Sequence, residues 1–139
     1  MPCPYFEPLE IAKVCFHRNA RLPLIDEYDG RCHAAAEPIG VPGSIRFAGC
    51  NHGNRESGCE RFPSGRDLPV LRFTVNRRDS EVLELLAIEE TSHHPTRWQT
   101  VRFAVQSEAF DSVFSSLCQR AQLLAFCRSY LKKCADVSA

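Results

Sequence analysis

The turn formers of this chain are segregated. All seven glycines fall between Gly30 and Gly65, eight of the nine prolines come before residue 70, and Cys3, Cys32, Cys50 and Cys59 are threaded through that same half. A run of roughly 60 residues broken so often buries too little apolar surface to offset its ordering entropy, so it needs a staple, either disulfides or a metal. Residues 1–65 are therefore expected to form a loop-rich, cysteine-bearing metal module. Residues 66–139 should hold the ordinary core, the two packing as one compact unit.

Eight cysteines in 139 residues also suit a disulfide framework. Residues 1–14 argue against it, because they show no basic start, no apolar run of signal-peptide length and no small-residue cleavage site. The expectation is a cytoplasmic chain whose thiols stay reduced or bind metal. No stretch has the apolar length of a membrane span. Seventeen basic residues balance seventeen acidic ones, along the chain as well as in total, without the basic excess that nucleic-acid or membrane binding usually requires.

After Gly65 the apolar spacing becomes regular. Leu71, Phe73 and Val75 alternate with polar residues as in a half-buried strand, and Arg77 to Ser80 supplies a turn. Glu81 to Ile88 reads as the second strand, although its pattern also suits a helix. Ser92-His93-His94-Pro95-Thr96 has the composition of a turn, and Val101, Phe103 and Val105 mark a third strand. Three strands with short turns make an antiparallel meander. Ser107 is placed to cap a helix beginning at Glu108 and running to about Cys134, or two helices broken near 118–122. Phe110, Val113, Phe114, Leu117, Ala121 and Leu124 form a stripe expected to lie on the meander. A second stripe, Leu123, Phe126, Cys127, Tyr130 and Cys134, must be covered by the first half, by a second copy or by a protein partner. The fold class is α+β.

The cysteines sort by context. Cys118, Cys127 and Cys134 sit in helical periodicity and read as core thiols; Cys15 lies in a short apolar stretch and is the spare ligand. Cys3, Cys32, Cys50 and Cys59 sit among prolines and glycines, and glycine lets backbone turn tightly around a charged cluster and direct N–H groups at sulfur. A structural zinc site usually draws on knuckles with two to four residues between paired ligands, and the closest pair here, Cys50 and Cys59, encloses eight. Four dispersed thiolates suit the separated corners of a four-iron, four-sulfur (4Fe–4S) cluster better. Zinc is the alternative, with His33 and His52, beside Cys32 and Cys50, or Cys15 as substitute ligands.

Cys3-Pro4, Gly30-Arg31-Cys32-His33, Cys50-Asn51-x-Gly53 and Cys59-x-Arg61-Phe62-Pro63, together with Arg21-Leu22-Pro23-Leu24, resemble blocks in a group of small uncharacterised bacterial proteins. The resemblance covers mainly residues 1–63. It implies a shared site at the same four cysteines and leaves the activity open.

Catalytic signatures are absent: no nucleophile elbow, phosphate loop, dinucleotide fingerprint or zinc-protease helix occurs. His93-His94 reads as a polar turn. Arg72, Arg77, Arg78, Arg97 and Arg102 around Phe73 and Trp98 resemble a nucleic-acid stacking face. Glu81, Glu84, Glu89 and Glu90 in the intervening strand offset them, which predicts paired surface charges instead. The reading is a redox or accessory iron–sulfur protein rather than an enzyme, the alternative a zinc-stapled interaction module.

Overall fold

The computed structural model describes residues 1–13, 22–53, 59, 61, 68–92, 94–112, 114 and 116–138. Cys15, Arg21, Phe62, Pro63, His93 and Val113 lie outside them. The first half is not merely loops. Phe6–Ile11 (β1), Tyr28–Cys32 (β2) and Ile39–Gly40 (β3) form an antiparallel sheet in the order β1-β2-β3. Sequence periodicity hides it because β1, FEPLEI, carries two carboxylates and a proline. Pro8 is accommodated at a register shift, where a missing N–H costs least. It faces Gly30, where a Cβ would collide with the Glu7 carbonyl oxygen, so glycine is required for β1 and β2 to meet.

A helical turn, Gly43–Ile45 (α1), then widens into a π-helical segment, Arg46–Asn51. Two polar residues pin that segment. Arg46 donates to the Glu27 carboxylate through both Nε and Nη2, at 2.8 and 2.7 Å, with the Glu27 side chain only 2% exposed. Asn51, fully buried, accepts from Tyr28 N–H at 2.8 Å and donates to the Tyr28 and Arg46 carbonyls, each at 3.0 Å. An amide satisfied on both sides this way fixes the segment against β2.

The meander occurs as Val70–Arg78 (β4), Val82–Thr91 (β5) and His94–Ala104 (β6), antiparallel throughout. The third strand starts earlier than expected. His94, Pro95 and Thr96 belong to it, and Pro95 sits beside a register shift opposite Glu90. The expected charge pairing occurs on this sheet, Arg72 with Glu90 at 3.2 Å and Arg102 with Glu84 at 3.5 Å.

The helix does not begin at Glu108. That residue has φ 54, its N–H bonds the Ala104 carbonyl at 2.8 Å, and Ala109–Phe110 (β7) returns to pair with β6. Asp111 stabilises the return, its Oδ1 accepting from Arg102 N–H at 2.9 Å and its own N–H donating to the Arg102 carbonyl at 3.1 Å. The helix is Leu117–Ser138 (α2), one unbroken element capped by Ser116, whose Oγ accepts from Gln119 N–H at 3.3 Å.

The meander takes residues from both stripes. Leu123 and Cys127, of the second stripe, lie on it with Leu71, Leu83, Leu85, Val101 and Phe103; Phe110, Phe114 and Leu124 of the first pack against the same cluster, whereas Leu117 is 59% exposed. The opposite face of α2 meets the first half: Ala125 packs with Phe6, Leu24 and Tyr28, and Gln122 donates to the Cys3 and Phe6 carbonyls at 2.8 and 2.9 Å. Tyr28 Oη completes the seam, donating to the Ala125 carbonyl at 2.9 Å and lying 2.6 Å from Ser129 Oγ. Phe73 and Phe126, their ring centroids 5.0 Å apart, belong to both cores. A helix covered by its own chain on two sides carries no single apolar stripe, which explains why periodicity found only part of the face that meets the meander. No described helix is long and apolar enough to cross a membrane.

Candidate metal centre

Cys3, Cys32, Cys50 and Cys59 line one cavity. Each arrives on a different stretch of chain. Cys3 lies in the turn that starts β1, closed by Phe6 N–H to the Cys3 carbonyl at 3.0 Å. Cys32 ends β2, opposite Phe6 of β1 and Ile39 of β3. Cys50 projects from the π-helical segment, held by Asn51. Cys59 is two residues from Arg61, whose Nη1 donates to the Gly40 carbonyl of β3 at 2.9 Å. A direct bond joins two of the four segments, Cys3 N–H to the Cys50 carbonyl at 2.9 Å.

Glycine has a defined use beside this site. Gly53 has φ +68, and a Cβ there would strike the Met1 carbonyl oxygen, so the chain leaving the π-helical segment packs against residues 1–3 only because position 53 has no side chain. The remaining walls include Tyr5, Phe6, Val41 and Ile45, and the charged described residue among them is Arg61.

Cys50 is the buried member, 7% exposed, while Cys3, Cys32 and Cys59 are part-exposed. Burial pushes the Cys50 thiol up to about 12, and negative charge on Cys3, Cys59 and Cys32 acts in the same direction, with Arg61 opposing. Metal-free, it is a protonated thiol; a thiolate there requires a nearby cation. The enclosed space is about 20 Å³, roughly that of one water. Among the described residues no group of three or more His, Cys, Asp or Glu is arranged to hold a metal ion as it stands. The four thiols share a cavity without being drawn around a single point.

Both histidine substitutes have other neighbours. His33 Nε2 lies 2.8 Å from Glu7 Oε1, and the His52 ring packs edge-on against Phe47 at 4.9 Å between centroids. Cys118 and Cys127 are buried, whereas Cys134 is part-exposed near Tyr130 rather than in the core. None of the seven described cysteines forms a disulfide. Residues that sequence reasoning left unassigned complete the site: Arg61 and Asn51 were visible only as neighbours of cysteines, and Tyr5 and Val41 carried no signal. No protein-family model, curated protein or solved structure matches this chain.

Proposed function

We propose that this chain binds a 4Fe–4S cluster through Cys3, Cys32, Cys50 and Cys59, in a reducing compartment such as the cytoplasm, and serves in one-electron transfer, redox sensing or as an accessory to a larger enzyme. The carrying observation is that four thiols spread over 57 residues of chain (59 − 3 + 1) line one cavity with no carboxylate among its described walls. A soft, all-sulfur donor set selects iron–sulfur groups, zinc or copper(I) over hard cations. Between the first two, the arrangement favours the cluster, because a single zinc ion needs four ligand atoms converging at about 2.3 Å. The four thiols come from dispersed stretches of chain, the closest pair in sequence, Cys50 and Cys59, enclosing eight residues.

This chain's contribution is to release four thiol protons, to enclose the sulfurs in apolar wall and to offset their charge in part with Arg61. With every iron carrying a protein thiolate, no coordination position stays open for substrate. The cluster supplies reversible one-electron chemistry when bound.

Anaerobic purification followed by an absorption spectrum and iron, sulfide and zinc analysis tests the proposal. Brown protein with about four irons and four sulfides per chain supports it. Colourless protein with about one zinc overturns it and makes the chain a metal-stapled interaction module.

A further inference from the structure

Resting on the cluster reading above, we infer that Arg61 is the residue that sets the reduction potential of the site by holding a permanent positive charge in its wall. Four thiolates bring four negative charges, which leave an oxidised cluster unit at a net charge of about −2 and a reduced one at about −3. Reduction therefore adds negative charge inside a wall of Tyr5, Phe6, Val41 and Ile45, where solvation is poor and each added charge is costly. Among the described lining residues Arg61 alone carries charge, and a guanidinium stays protonated at any working pH. Its position is not incidental, since Nη1 is fixed at 2.9 Å to the carbonyl of Gly40, the residue before Val41 of the cavity wall. The other arginine packed nearby, Arg46, is occupied by the Glu27 carboxylate. Arg61 is also two residues from Cys59, so the loop that delivers a ligand delivers the counter-charge with it.

The electron balance is simple. The oxidised site would take one electron from the sulfur dioxide radical anion that dithionite forms by splitting its S–S bond, the donor ending as sulfite; no bond of the site forms or breaks, and the added charge stays on the iron–sulfur core. Arg61 stabilises the reduced state more than the oxidised one, because its attraction scales with the charge it faces. Removing it must make reduction harder.

Potentiometric titration of the cluster-loaded full chain, followed by visible absorption and by the paramagnetic signal of the reduced form, reads this directly. Arg61→Gln and Arg61→Met remove the charge; Arg61→Lys keeps it while replacing the planar fork that bonds Gly40. The expected result is a reduction equilibrium displaced at least tenfold towards the oxidised state in both neutral variants, about 59 mV more negative for one electron, with Arg61→Lys within threefold of the wild type. Neutral variants that lose the cluster while Arg61→Lys retains it overturn the inference, because the charge then holds the cluster rather than setting its potential. Wild-type potentials in all three variants overturn the inference and leave the cluster reading intact. So does loss of the cluster in Arg61→Lys, which would make the Gly40 bond the reason for the residue. A wild-type chain that holds no iron removes the cluster reading itself, an outcome distinct from either.

Discussion

Asn51→Ala is expected to destabilise the metal-free protein by about 4 kcal/mol. The side chain is fully buried and makes three hydrogen bonds of 2.8 to 3.0 Å, one accepted from Tyr28 N–H and two donated to the Tyr28 and Arg46 carbonyls. Each is worth about 1 kcal/mol net, and truncation adds roughly 1–2 kcal/mol by leaving the Tyr28 N–H buried without an acceptor. A domain of this size has a total stability of about 5–15 kcal/mol, so the loss is a large share. Urea unfolding followed by far-ultraviolet circular dichroism measures it, and with a slope of about 2 kcal/mol per molar the midpoint should fall by about 2 M. Asn51→Asp is the sharper control. It keeps the acceptor for Tyr28 N–H but turns an oxygen towards two carbonyls, so at neutral pH it should cost at least as much as alanine. A midpoint loss below about 0.5 M for alanine, or wild-type stability for aspartate, would refute the claim that this amide holds the Cys50 segment to β2.

The remaining expectations concern the thiols and the small sheet. Cys50→Ser should abolish bound metal, whereas Cys118→Ser should leave metal content unchanged; equal loss in the two would reject the division between cavity and helix thiols. Burial raises Cys127 from the ordinary thiol value of 9.0 to about 12, so the folded chain keeps a proton that the unfolded chain releases. Its contribution is complete below pH 9 and is lost as pH rises towards 12. In the metal-free protein Cys127→Ala should therefore remove about 1.4 kcal/mol per pH unit from the slope of stability across that window, read from urea midpoints at stepped pH. An unchanged slope would show that Cys127 does not hold its proton against unfolding. Gly30→Ala should cost more than about 2 kcal/mol by forcing β2 away from the Glu7 carbonyl, and amide exchange localised to β1 and β2 would report it. Wild-type protection in those strands would refute the packing argument.

How much of this architecture was legible in the sequence depends on how local its cause is. Phe73-x-Val75 and Val101-x-Phe103 declared the meander because a strand with one buried face repeats every two residues whatever it packs against. The segregation of glycine and proline likewise marked the segments that bear Cys3, Cys32, Cys50 and Cys59. The sheet of β1 and β2 was illegible because its pairing, Phe6 with Cys32, spans 26 residues and its strands carry charges and a proline. The start of α2 was misread because the reversal at Glu108 is stabilised by Arg102 and Asp111, bonds that exist only once β6 has formed.

Chain order alone determined the inventory: an α+β protein with a three-strand meander. Tertiary structure decided the arrangement: α2 packs on the meander by one face and on the first half by the other, and four cysteines from separate stretches of chain line one cavity. The reason is that propensity and periodicity act over a few residues, whereas the closing of a cavity depends on chain segments whose meeting is stabilised by Gln122, Tyr28 and Asn51 across 23 to 119 residues of sequence.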